Sequence, residues 1–170
     1  MSKSIKREPR VVVGWREWVA LPDLGVETIK AKVDTGARTS SLHAFNVVEF
    51  QRDGQDMVRF AIHPEQGRKR PEIQTEAPLL ERRKVTPSSG HAELRPVVST
   101  HIELLGRVFE VELTLTRRDA MGFRMLLGRQ ALRGRFVVDP GRSFLNGRRI
   151  KGTKRLKSSR PPAGDSTPSS

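Results

Sequence analysis

The sequence predicts an all-β protein built as a closed barrel, with one short helix near 128–134. Two observations lead to this prediction. Apolar and polar residues alternate with a period of two along 28–33 and along 109–116, as expected of strands with one buried and one solvated face. Many other short apolar stretches follow one another with turn residues between them, a pattern typical of barrels.

The elements follow from the same pattern. Ile29, Ala31 and Val33 supply the apolar positions of one strand, and Phe109 begins the apolar series of another. Further strands are predicted at 10–21, 42–50, 57–63, 79–85, 92–104, 122–127 and 135–139. Turn residues separate them at Asp23-Leu24-Gly25, Asp53-Gly54, Ser89-Gly90 and Leu105-Gly106.

Two stretches do not fit the strand pattern. Residues 64–77 are polar and contain two prolines and a basic cluster, so we expect a surface excursion there. Residues 86–91 are small and lie between two predicted strands, which indicates the tip of a hairpin that could move.

Composition divides the chain into three parts. Residues 1–9 are a basic arm and residues 151–170 a basic tail rich in proline and serine, and both have too few apolar residues to fold. We therefore predict disorder at both ends and a barrel domain at 10–150.

Positive charge is concentrated at the ends of the chain. Of the net charge of +13, residues 1–10 carry +3 and residues 151–170 carry +4, which leaves +6 for 11–150. Such arms attract polyanions weakly. Aromatic residues do not alternate with basic ones as in single-strand binding surfaces, so no specific nucleic-acid binding is expected.

Cysteine content and the search for targeting segments also indicate a cellular location. The chain has no cysteine, which suits a reducing compartment. Its first residues lack the apolar stretch of a secretory signal, and no run approaches the length of a membrane span. We expect a cytoplasmic protein without membrane association.

Asp34 is the main candidate for chemistry. It follows the apolar Val33 and precedes Thr35 and Gly36, in a turn that ends a predicted strand. Two such carboxylates about 3 Å apart share one proton, so that one acts as base and the other as acid. The alternative interpretation is an ordinary turn that ends a strand, because Asp-Thr-Gly suits such turns.

The order of motifs resembles the retropepsin family of aspartic proteases. An Asp-Thr-Gly-Ala turn comes first, then a hairpin, and then two leucines and a glycine before a short helix. The resemblance implies a retropepsin-like barrel with a catalytic Asp34. It also implies an active-site turn at Thr35, Gly36 and Ala37, a supporting strand at Leu126, Leu127 and Gly128, and a flap at Ser88, Ser89 and Gly90.

A bacterial group of retropepsin-like proteins, also called ATP-dependent zinc proteases, is more similar still. The resemblance spans about 11–146 and rests on the segments Val13-Gly14-Trp15-Arg16-Glu17, Lys32 to Ser40, Arg95-Pro96-Val97-Val98 and Met125 to Arg129. Members of this group accompany ATP-grasp ligases that add glutamate to proteins. The resemblance therefore implies a functional link to such a ligase.

Metal and nucleotide binding are not expected, despite that older label. The chain lacks the phosphate-binding pattern GxxxxGK[ST] and the His-Glu-x-x-His spacing of zinc proteases. The four histidines are scattered at His43, His63, His91 and His101. We predict no cofactor and no metal.

Other charged residues are candidates for the surroundings of Asp34. Arg38 stands where viral retropepsins usually place an acidic residue, and a cation within about 4–6 Å would favour the ionised carboxylate. Glu93, Arg95 and Arg129 occur near the motifs and could complete a charged surround. The alternative is that they form ordinary surface ion pairs.

Two functions remain open. The first is an aspartic endopeptidase acting on peptides or proteins, with water activated by an Asp34 pair across the axis of a homodimer. The second is a catalytically silent β-barrel that binds a peptide or an acidic protein partner. Oligomeric state separates them, because a strict monomer has one Asp-Thr-Gly and cannot complete the pair.

Overall fold

The computed structural model describes residues 8–65, 67–86, 90–117 and 122–147. Most of the predicted basic arm, the predicted tail and the predicted flap residues Ser88 and Ser89 lie outside the described residues. The boundaries of the arm, the domain and the tail therefore stay a prediction.

Strands make up most of the described residues, which confirms the all-β prediction. They are β1 (Val11–Gly14), β2 (Arg16–Leu21), β3 (Val26–Val33), β4 (Ser40–His43), β5 (Phe45–Arg52), β6 (Gln55–Ile62), β7 (Ile73–Val85), β8 (Glu93–Leu104), β9 (Arg107–Thr116), β10 (Met125–Leu127) and β11 (Phe136–Asp139). A 3-10 helix spans Pro22–Leu24. Helix α1 (Arg129–Leu132) is the one α-helix in the described part of the chain.

Six strands close the predicted barrel. Their order is β2-β3-β10-β4-β9-β8, and β8 pairs back onto β2 through Ala20 and Glu103. Strand β10 runs parallel to β3 and antiparallel to β4. Beyond β8 the sheet continues through β7 and β6 to β5, and β1 and β11 form a separate parallel pair. The pairing of β3 with β10 places the supporting strand that the resemblance implies beside the strand that ends at Asp34.

The core lies between the inner faces of the barrel strands. Ile29, Ala31 and Val33 of β3 are buried, and so are the alternating apolar residues of β9. Residues on the opposite face of β3 are partly or fully exposed. Burial of these apolar side chains is the main favourable contribution to folding, because it removes their surface from water.

Several boundaries differ from the sequence prediction. The stretch 10–21 is two strands, because Trp15 leaves the ladder and its N–H donates to the carbonyl oxygen of Arg142 at 2.9 Å. The stretch 42–50 is divided at Ala44, whose N–H donates to the carbonyl oxygen of Thr116 at 2.9 Å.

The predicted excursion at 64–77 is wrong for its last five residues. Strand β7 already begins at Ile73 and pairs with β6 from Ile62↔Ile73 to Met57↔Pro78. Pairing with a neighbouring strand satisfies the backbone there, whatever the polarity of the side chains. The predicted helix 128–134 and strand 122–127 are both shorter, as α1 and β10 show.

Candidate functional site

Asp34 lies directly after β3, with β10 behind it. The N–H of Asp34 donates to the carbonyl oxygen of Leu127 at 2.8 Å. Val33 and Leu127 are register partners in the parallel pair. The predicted supporting strand therefore lies beside the turn, and Leu126, Leu127 and Gly128 are all buried.

The turn orients one oxygen of the Asp34 carboxylate. The N–H of Gly36 donates to Asp34 Oδ1 at 3.0 Å, and the N–H of Ala37 donates to the Asp34 carbonyl oxygen at 3.2 Å. The Asp34 side chain is half-buried, while Thr35 and Gly36 are exposed. Among the described residues no side-chain hydrogen bond to Oδ2 is found, so this oxygen is free to meet a ligand.

Helix α1 holds the far side of the turn. The N–H groups of Arg129 and Gln130 donate to the carbonyl oxygens of Ala37 and Arg38 at 2.8 and 3.1 Å. The guanidinium of Arg129 donates to the carbonyl oxygen of Thr35 at 2.9 Å. Strand β3, the turn and α1 thus form one hydrogen-bonded unit.

Gly128 allows the chain to pass very close to the segment after the turn. A Cβ at this position would lie 2.4 Å from the carbonyl oxygen of Thr39. The N–H of Gly128 donates to Ser40 Oγ at 3.0 Å in a buried setting. The glycine of the Leu-Leu-Gly motif is therefore a packing requirement of the site.

The predicted charged surround is brought together only in part. Arg129 contacts the turn, whereas no ion pair joins Arg38 to Asp34 among the described residues. Glu93 and Arg95 form an ion pair of 2.7 Å and line a cleft of about 350 Å³ between β8, β9 and the start of β5. In the described part of the chain, no hydrogen bond or ion pair links this cleft to the Asp34 turn.

The hairpin predicted at 86–91 joins β7 to β8, which are paired antiparallel up to Val85↔Glu93. Gly90 is exposed and has a φ of 86°. Its role as part of a flap stays a prediction.

Two of the four histidines come near each other, because His43 and His63 both pack against the Phe45 ring with centroid distances of 4.3 Å. His101 contacts Asp23 at 2.7 Å in another part of the fold. Within the described ranges, no three side chains of the kinds that ligate metals come together. No helix in those ranges is long and apolar enough to cross a membrane.

The family is decided by a match over most of the chain. The family described as RimB-like, retropepsin-like aspartic endopeptidase RimB, matches residues 12–149. This chain belongs to that family. The resemblance to retropepsins drawn from the Asp34 and Leu-Leu-Gly motifs is thereby confirmed.

Relatives of the chain carry a different name. A probable alpha-L-glutamate ligase of Desulfotalea psychrophila is 45% identical over 82% of this chain, and one of Parasynechococcus marenigrum is 51% identical over 77%. The chain spans about 30% of the length of these curated relatives.

A solved structure shares the fold. A Legionella pneumophila protein of unknown function (DUF785) is 30% identical to this chain and superposes with a TM-score of 0.69, covering 81% of this chain and 98% of its own.

Glu17 is a buried carboxylate that the sequence analysis did not single out. It is fully buried, and its Oε1 accepts hydrogen bonds from the N–H groups of Gly14 and Leu145 at 3.0 and 2.8 Å. Its Oε2 accepts one from the N–H of Asn146 at 3.0 Å. The sequence indicated this burial, because Glu17 lies two residues before Val19 in β2 and alternate residues of a strand face the same side.

Proposed function

We propose that the chain is an aspartic endopeptidase of retropepsin type, in which Asp34 from two copies activates water. The observation that carries this proposal is the Asp34 turn itself. It presents a half-buried carboxylate with Oδ1 oriented by the Gly36 N–H, and it is held from behind by β10 and from the side by α1. Membership of a retropepsin-like family supports the same chemistry.

The chemistry needs two Asp34 side chains at one axis. Two facing carboxylates cannot both be ionised, so one holds a proton. The ionised one removes a proton from water as the water attacks the peptide carbonyl carbon, and the protonated one donates to the carbonyl oxygen. Since each chain contributes one Asp-Thr-Gly turn, the active form would be a homodimer.

We further propose that the β7–β8 hairpin closes over the bound peptide. The peptide would lie extended and form hydrogen bonds to backbone edges, as extended ligands do when they add to a sheet. The substrate class we propose is a glutamate-rich peptide or protein. The net charge of +13 favours such a ligand, and the related ligases are named for glutamate.

The test is cleavage of a glutamate-rich peptide by the wild-type chain and by Asp34→Asn. Asparagine keeps the shape of the side chain but cannot take or share a proton, so cleavage should be lost. The thermal midpoint should stay level or rise slightly, because two facing carboxylates repel each other. Asp53→Asn, in an exposed turn, is the matched control and should cleave normally. Cleavage retained by Asp34→Asn would overturn the proposal.

The second candidate is a binding module without catalysis. It is favoured by the relatives, because ligases that contain a similar stretch as about 30% of their length could use it to hold an acidic product. In that case the wild-type chain would bind glutamate-rich peptides and cleave none. Asp34→Asn would then change stability only slightly, because the amide oxygen of Asn still accepts the Gly36 hydrogen bond and only the charge assistance is lost.

A further inference from the structure

The outer face of β2 and β3 carries cations and aromatic rings together. Arg16 is the register partner of Lys32, and Trp18 is the partner of Lys30, so these four side chains share one face. We call this surface the Arg16 face. Its aromatic members are Trp15, Trp18, Phe123 and Phe144.

Aromatic rings pack against two of the three cations on the Arg16 face. The Arg16 guanidinium lies 4.5 Å from the Trp15 ring centroid and 4.7 Å from that of Phe144. Lys30 Nζ lies 5.2 Å from the Phe123 centroid. Such contacts hold a cation in place but leave its N–H donors without an anion.

The cations of the Arg16 face have no acidic partner in the described part of the chain. Within the described residues, no ion pair is formed by Arg16, Lys30 or Lys32, and Arg16 Nε is buried without a hydrogen-bond partner. Burial and, to a smaller degree, the charge of Arg16 lower the pKa of Lys30.

Arginines elsewhere on the sheet are paired. The 2.6 Å contact of Arg82 with Glu49 and the 2.8 Å contact of Arg52 with Glu76 are examples. The cations of the Arg16 face therefore differ from these arginines, whose charges are paired with carboxylates.

We propose that Arg16, Lys30 and Lys32 form a binding site for the side-chain carboxylates of an acidic peptide. A carboxylate there would relieve the repulsion among the three cations. It would also be bound in a partly dry, ring-lined setting, where charge-assisted hydrogen bonds are stronger than in water. The further statement that this peptide is the substrate rests on the function proposed above.

The position of the Arg16 face suits a peptide that crosses the Asp34 turn. Lys32 precedes Asp34 by two residues, a distance of roughly 7 Å along an extended strand. The N–H of Val33 donates to the carbonyl oxygen of Trp15 at 2.8 Å, which fixes this end of the face beside the turn. A peptide held at Asp34 would place a side chain two or three residues away against the three cations.

The experiment measures the affinity of a hexaglutamate peptide for the full chain carrying Asp34→Asn, so that no peptide is consumed. In that background, Lys30→Gln, Lys32→Gln and Arg16→Gln are each compared with Lys69→Gln, an exposed lysine in a loop. Each of the first three should weaken binding about fivefold, as expected for a partly exposed charge contact. Lys69→Gln should leave the affinity within about a factor of two. The two lysine variants keep the test valid if Arg16→Gln fails to fold.

Equal loss in all four variants would overturn the proposal, because it would show attraction by net charge alone. No loss in Lys30→Gln and Lys32→Gln would also overturn it and leave the cation–ring contacts a purely structural role. Inorganic phosphate that displaces the peptide at equal concentration would show a site for free anions instead. Cleavage by the wild-type chain is measured separately. Binding at the Arg16 face without any cleavage would therefore contradict the endopeptidase and not the site.

Discussion

At the scale of single residues, the carboxylates of Glu17 and Asp34 have opposite surroundings. Glu17 is fully buried and accepts three backbone hydrogen bonds, one from Gly14 of β1 and two from the segment at 142–147, so its carboxylate joins both of these to β2. Asp34 is half-buried and its carboxylate accepts one backbone hydrogen bond. The Asp34 carboxylate accepts fewer hydrogen bonds from the protein and is more exposed, so it can contact water and a ligand. For this reason we assign the chemistry to Asp34.

Replacing Glu17 tests whether its buried carboxylate stabilises the fold. Glu17→Gln presents an NH₂ group to a backbone N–H that needs an acceptor, so the free energy of unfolding should fall by about 1–3 kcal/mol. Urea unfolding of the variant measures the change. The control is Glu103→Gln, at an exposed position of β8, which should stay within about 0.5 kcal/mol of wild type. An unchanged midpoint for Glu17→Gln would show that its three hydrogen bonds are dispensable.

At the scale of elements, the site depends on how closely β10 and α1 approach the segment after the Asp34 turn. Gly128→Ala should lower the free energy of unfolding by about 1–3 kcal/mol, because its Cβ would lie 2.4 Å from the Thr39 carbonyl oxygen. Any cleavage activity should fall further than stability, since the shift displaces the Asp34 turn. Gly141→Ala is the control, because its Cβ would make an ordinary contact of 3.4 Å. Equal stability of the two variants would contradict the close approach.

A second element contact depends on pH. The hydrogen bond from His101 lowers the pKa of Asp23 below its ordinary value of 3.8, and it joins the 3-10 helix to β8. Because the folded value is the lower one, the stabilisation is complete above pH 3.8 and is lost as the pH falls through the folded value.

Asp23→Asn should therefore destabilise the chain slightly at pH 6 in urea unfolding, and the difference from wild type should shrink as the pH is lowered below 3.8. The effect is small because both side chains are about half exposed. For Asp53→Asn, the difference in stability from wild type should not depend on pH in this way. A difference for Asp23→Asn that does not shrink below pH 3.8 would contradict this assignment.

Sequence alone predicts the elements whose pattern reflects burial. The alternation at Ile29, Ala31 and Val33 predicts the buried face of β3, because apolar parity is a local property, whereas its pairing with β10 follows from the family resemblance carried by the motif at Leu127. The first half of β7 was missed, since its polar residues are held by pairing with β6. Arg95 and Arg129 illustrate the limit for charges: the sequence shows both near motifs, but only the folded chain shows that Arg129 reaches the Thr35 carbonyl oxygen.

At the scale of the whole molecule, the chain supplies one oriented Asp34 and the proposed reaction needs two. The six-stranded barrel holds the turn on β3 and β10, and the paired cations and carboxylates of the outer sheet leave the Arg16 face as a region of uncompensated charge. An acidic peptide would be attracted to this face and the charged arms, and this attraction weakens with added salt. The central claim is that two copies of the chain together form one catalytic site.

Mixing wild-type chain with Asp34→Asn tests this claim most directly. The two are refolded together so that subunits exchange, and cleavage is measured with peptide in large excess over total protein. If each site needs Asp34 from both subunits, activity per wild-type chain falls in proportion to the wild-type fraction, to about one tenth at a ninefold excess of the variant. Activity that stays constant as the variant is added would show that one chain completes the site by itself, and it would contradict the paired-Asp34 mechanism.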